Sequence, residues 1–91
     1  MVLSMKIWDD VGFVYASEYR TRIVRFLLKN ESTPGIIARE TGIRAPHVSR
    51  TLSQLEKRGI VKCLTPNRFK GKIFALTPKG IKIIERIEQD V

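Results

Sequence analysis

At 91 residues the chain is the size of one domain, and a fold this short buries little more than ~60% of its unfolded surface, so it stands alone with limited reserve. A single cysteine, Cys63, excludes an internal disulfide and a zinc–thiolate cluster. No apolar run approaches the ~20 residues of a membrane helix and the N-terminus lacks a basic region followed by an apolar core, so the expectation is a soluble cytoplasmic protein with no membrane partner. The net charge of +8 is unevenly spread: Arg44, Arg50, Lys57, Arg58, Lys62, Arg68, Lys70 and Lys72 face only Glu56 between residues 44 and 72. That concentration calls for a polyanionic partner, since neutralising phosphates releases counterions.

Residues 1–16 read as an N-terminal arm or helix. Leu3, Ile7, Trp8, Val11, Val14 and Tyr15 recur at roughly helical spacing and Asp9 and Asp10 suit a helix N-terminus, whereas Gly12 counts against one. Ser17 to Lys29 is a clearer helix: Ser17 caps it, Arg20 and Arg22 point outward, Ile23, Phe26 and Leu27 form a core face, and Asn30 closes it. Ser32 or Thr33 then caps, and Pro34 opens, a short helix running to Thr41 whose apolar side is Ile36 or Ile37 with Ala38. Gly42 can take the positive φ that ends a helix, and Ile43 plugs the corner.

From about Ala45 to Arg58 a second amphipathic helix carries Val48, Leu52 and Leu55 on one face and a short, polar, basic set on the other, ending at Gly59. Two such helices joined by a glycine turn, residues 34–58, are written as a helix-turn-helix whose second member reads a groove. Residues 60–76 follow as a β-hairpin, with Ile60–Leu64 and Ile73–Leu76 as β-rich runs around a basic tip. Thr77 and Pro78 start a last helix, residues 77–91, with Ile81, Ile84, Ile87 or Glu88, and Val91 in a stripe beside Ile83. The fold class is therefore mainly α with a small β-hairpin (α+β), in one domain.

This order of elements, with the run Val48-Ser-Arg-Thr-Leu-Ser-Gln-Leu-Glu-Lys-Arg-Gly-Ile-Val61, resembles the winged helix-turn-helix transcriptional regulators, closest to the bacterial and archaeal MarR-like and ArsR-like groups, over about residues 17–80. The resemblance implies a homodimer that binds double-stranded DNA, with the reading helix in the major groove and the hairpin tip, the wing, on the backbone or the neighbouring minor groove. Metal-sensing ArsR-like members carry cysteine or histidine clusters, whereas His47 and Cys63 stand alone here. Larger MarR-like proteins build an effector pocket from longer terminal helices, so a small-molecule effector is left open.

The DNA-reading set expected from the residues is Arg44, Pro46, His47, Ser49, Arg50, Ser53, Gln54 and Lys57. Arg44 and Arg50 can fork to guanine or clamp phosphate, their plain alternative being ion pairs with Glu40 or Glu56; Gln54 can pair with adenine. His47 can reach a base edge or a phosphate, or be inert surface. Arg68, Lys70 and Lys72 alternate along the wing tip and would share one side if the strand pattern persists, gripping phosphates, with Phe69 turned the other way, expected to pack and stiffen the wing, its alternative being an exposed aromatic that meets sugar or base. Cys63 reads as a small buried hydrophobe.

Leu3, Ile7, Trp8, Ile81, Ile84 and Val91 are the expected dimer seam, the alternative for such an apolar set being the core of one subunit. Such a dimer would set two reading helices about 34 Å apart over a short inverted repeat. No enzymatic constellation, cofactor loop or metal set is legible: the only histidine has no carboxylate partner and there is no glycine-rich phosphate loop. Two other readings remain compatible with the sequence, a nonspecific or architectural nucleic-acid binder, RNA included, and a winged-helix protein-interaction module.

Overall fold

Ser17 and Thr33 start their helices by the same device. Each holds extended backbone while its hydroxyl accepts from the amide three residues on, Arg20 N at 3.2 Å and Ile36 N at 3.3 Å, which satisfies amides that a helix start otherwise leaves unpaired. The computed structural model describes residues 2–89, with side chains from residue 7 onward. In chain order the elements are α1 (Val2–Tyr15), α2 (Glu18–Lys29), α3 (Pro34–Thr41), α4 (Ala45–Lys57), β1 (Val61–Cys63), β2 (Phe74–Leu76) and α5 (Pro78–Gln89). Gly42, at φ 74°, turns the chain between α3 and α4, and Gly59, at φ 72°, turns it from α4 into β1; a side chain is strained in that backbone region.

The two strands pair antiparallel with Val61 opposite Leu76. A third segment joins them, for Ser32 exchanges both backbone hydrogen bonds with Phe74, at 3.1 and 2.8 Å. The wing is thereby stitched to the chain just before α3, which fixes its angle to the helix-turn-helix.

One core serves all the elements. Ile23, Ile37, Leu55, Ile60, Ile83 and Ile84 are the largest side chains with no exposure, joined by Val14, Val24, Val48 and Val61, and each such burial stabilises by about 1.5–3 kcal/mol. α1 packs against α5 and α2.

Several expectations change here. The N-terminal segment is a continuous helix through the exposed Gly12. Asp9 and Asp10 lie in its middle rather than at its start, and Asp10 is buried, reaching Lys79 Nζ at 2.8 Å and Arg58 Nη1 at 3.2 Å. Arg20 and Arg22 do not point outward: Arg20 donates to the Phe13 carbonyl at 2.8 Å and Arg22 to the Thr41 carbonyl at 2.6 Å, tying carbonyls of α1 and α3 to α2. The open choices resolve to Ile37 over the exposed Ile36, and to Ile87 over the exposed Glu88. Ile84 is fully buried inside the protomer, so it belongs to this core and not to a surface between copies. Cys63 is half-buried.

Candidate nucleic-acid interface

α4 presents the expected face because its apolar residues are spent on the core: Val48, Thr51, Leu52 and Leu55 are buried, which turns Arg44, Pro46, Ser49, Arg50, Ser53 and Lys57 to solvent. The helix begins without a side-chain cap; its first turn is closed by the Arg44 carbonyl, which accepts from His47 N and Val48 N at 3.0 Å each. The positive end of the helix dipole is thus presented next to the Arg44 side chain, an arrangement that favours an anion. Among the described residues no carboxylate pairs with Arg44 or Arg50; Glu40 instead lies 3.5 Å from Arg39.

Two members of the set are less free than the rest. His47 is half-buried with its ring 5.3 Å from that of Tyr19, and Gln54 Oε1 accepts from Arg20 Nε at 3.3 Å. α2 therefore braces both side chains, leaving the Gln54 amide NH2 as the group available for an outside partner. Tyr19 is the residue that sequence reading missed at this face. Its only signal was its place on the first turn of α2, and that signal identifies no neighbour.

The wing tip does not continue the strands. Residues 65–72 form turns and bends, held by Arg68 N donating to the Thr65 carbonyl at 3.0 Å, Ile73 N to Thr65 Oγ1 at 3.0 Å, and Gly71 at φ 66°. The expected alternation of Arg68, Lys70 and Lys72 therefore fails, because the pleat that would impose it ends at Cys63. Arg68 and Lys70 are exposed and Lys72 half-buried. Phe69 does not pack: it is 93% exposed.

Between the wing and α4 runs an open groove of about 540 Å³, walled by Ser49, Ser53 and Glu56 on one side and Phe69, Gly71 and Lys72 on the other, with the start of α3 at its end. The reading face and the wing tip thus border one channel. Arg58, by contrast, faces away from it: besides its bond to Asp10, its guanidinium lies 3.9 Å from the centre of the Phe13 ring, which carries Arg20 at 3.7 Å as well. Among the described residues no three His, Cys, Asp or Glu side chains are grouped to hold a metal ion. Among the described residues no helix is long and apolar enough to cross a membrane.

Some of the residues expected at a dimer seam are exposed in the protomer. Trp8 is 47% and Ile81 38% exposed, Ile7 is half-buried, and the Trp8 ring is overlaid by Arg86 at 5.1 Å. The Leu3 side chain and Val91 lie outside the described residues.

The model of bacterial regulatory proteins of the arsR family matches residues 17–62, the span from the cap of α2 to β1. No curated protein is matched by the sequence. Among solved structures, a MarR family transcription regulator superposes with a TM-score of 0.74 at 24% identity, covering 81% of this chain and 50% of its own. A homodimeric winged helix-turn-helix DNA-binding domain from Mycobacterium bovis, described as a possible ArsR-family transcriptional regulator, gives 0.76 at 18% identity over 98% of this chain and 82% of its own. MepR of S. aureus in complex with DNA gives 0.73 at 20% identity over 94% and 73%. These likenesses show a winged helix-turn-helix fold, and the chain spans about half the length of the first of them.

Proposed function

Because the chain belongs to the arsR family of bacterial regulatory proteins, we propose that it is a transcription regulator binding double-stranded DNA sequence-specifically as a homodimer. The observation that carries the reading is the exposed face of α4, where among the described residues no carboxylate pairs with Arg44 or Arg50 and the helix start beside Arg44 has no side-chain cap. In this reading α4 enters the major groove, where Arg50, Ser49, Ser53 and the Gln54 amide meet base edges and Arg44, Pro46, His47 and Lys57 lie along its walls. Arg68, Lys70 and Lys72 take backbone phosphates from the wing. Trp8, Ile7 and Ile81, with Leu3 and Val91, supply the contact between copies. Residence in the cytoplasm follows from work on the chromosome. The relatives support this by what they are: MepR was solved with DNA and the Mycobacterium bovis domain is homodimeric.

The test is selection of bound fragments from genomic DNA, followed by titration of the best fragment and a scrambled one at two salt concentrations. A short inverted repeat bound about 10³-fold or more tighter than the scramble is the expected result. Equal, steeply salt-dependent binding to both would replace the reading with a nonspecific or architectural binder.

A further inference from the structure

An aromatic ring that is 93% exposed in a small domain is costly unless something covers it, and Phe69 sits in the bends between β1 and β2 with two cations, Arg68 and Lys70, beside it in the chain. Its position is held. Thr65 accepts from both Arg68 N, through its carbonyl, and Ile73 N, through its hydroxyl, and Gly71 supplies the left-handed turn that brings the chain back. The tip is thus a short, closed turn that presents one ring. Phe69 also forms one wall of the groove whose other wall is Ser49 and Ser53 of the reading helix, so ring and reading face serve the same bound surface.

Resting on the DNA-binding reading above, we propose that Phe69 is an apolar wedge for the minor groove next to the one read by α4, pressing against deoxyribose and the edge of a base step while Arg68 and Lys70 hold the two flanking phosphates. The groove between wing and helix is where the sugar–phosphate strand dividing the two DNA grooves passes. Its wall chemistry fits that strand: the Ser49 and Ser53 hydroxyls and Lys72 are donors to phosphate, and Phe69 is the apolar face toward sugar. Glu56, the one carboxylate of the groove, stands against phosphate at its position and so limits where the strand lies. A wedge pays unstacking energy at the step it opens, which is smallest at pyrimidine–purine steps. Phe69 therefore gives the protein a preference for TA or CA/TG at a position that no hydrogen bond reads.

The experiment compares the full chain with Phe69→Ala and Phe69→Leu on the best selected duplex and on duplexes with the flanking step changed from TA to a stiff AA, with 2-aminopurine placed at that step. Circular dichroism checks folding, which an exposed position leaves intact. The expected result for Phe69→Ala is a loss of affinity of about tenfold, or about 1.4 kcal/mol, an unchanged salt slope because no charge is lost, and loss of both the TA preference and the rise in 2-aminopurine fluorescence. Phe69→Leu keeps part of each. If the unsubstituted protein binds duplex and Phe69→Ala matches it in affinity, step preference and fluorescence, the wedge is overturned while the regulator reading stands. Failure of the unsubstituted protein to bind any duplex overturns both.

Discussion

Gly80 lies on the first turn of α5, where its Cα faces the chain leaving α4. A Cβ built there falls on the Ile60 carbonyl oxygen and within 3.2 Å of Leu76 Cδ2. That carbonyl cannot easily yield, since it accepts from Thr77 N at 3.0 Å and from Thr77 Oγ1 at 3.1 Å, the bonds that fasten the start of α5 to the start of β1. Replacing a helical glycine by alanine ordinarily stabilises by about 0.5–1 kcal/mol, through backbone entropy and helix propensity. Here the overpacking cost of about 1–3 kcal/mol, or more against backbone, opposes it, so Gly80→Ala should be net destabilising by roughly 1–2 kcal/mol. Gly12 provides the control, as a mid-helix glycine with nothing within 4 Å of its built Cβ; Gly12→Ala should stabilise by about 0.5–1 kcal/mol. Thermal and urea unfolding of both variants separates the signs, at roughly 4–8 °C of Tm per kcal/mol for a domain of this size. A Gly80→Ala protein as stable as the parent or more so would refute the close approach of α5 to Ile60.

Asp10→Ala removes the buried carboxylate shared by Arg58 and Lys79; because those partners are 43% and 40% exposed they rehydrate, so the cost should be about 1.5–3 kcal/mol, below that of a fully buried pair. Urea unfolding measures it, and a loss under ~0.5 kcal/mol would mean the cluster is only a surface pairing. Arg50→Ala should weaken binding of the selected duplex by about 1–3 kcal/mol and relax preference at one base pair, measured by competition titration; uniform weakening across sequences would move Arg50 to a phosphate. Lys70→Ala should instead lower the slope of log affinity against log salt by about one, and an unchanged slope would take Lys70 off the backbone.

What the sequence made legible was local. Ser17, Thr33 with Pro34, and Thr77 with Pro78 each announce a helix start through groups that act within three residues, and all three start helices. Gly42 announces its turn because positive φ is a property of one residue. The core face of α4 was readable from spacing for the same reason, and with it the outward set of Arg44, Ser49, Arg50 and Ser53. What was not legible depended on partners far along the chain. Asp10 meets Arg58 across 48 positions and Arg20 meets Gln54 across 34, and nothing in the local pattern around either residue points to its partner. Phe69 failed for another reason: a two-residue period was carried past the end of a three-residue strand, where the backbone no longer pleats.

The long-range pairings also change what the charge means. Counted along the chain, Arg58 belongs with the basic segment that points to a polyanion, yet it is bound to Asp10, stacked on Phe13 and joined at its carbonyl to Lys79 Nζ at 2.7 Å. Its charge is spent on holding the C-terminal end of α4 to α1 and α5. Arg20 similarly spends its guanidinium on Phe13 and Gln54. Two arginines thus clamp one ring of α1 and, through it, fix the far end and one side chain of the reading helix. The basic surface left free of such pairings is correspondingly smaller: Arg44 and Arg50 on α4, Arg68, Lys70 and Lys72 on the wing. A helix secured at its C-terminal end by α1 and presented at its uncapped N-terminal end places Arg44 where the dipole already favours an anion. The charge that a composition count attributes to binding is, in this fold, divided between the exposed basic surface and the fixing of the helix that carries part of it.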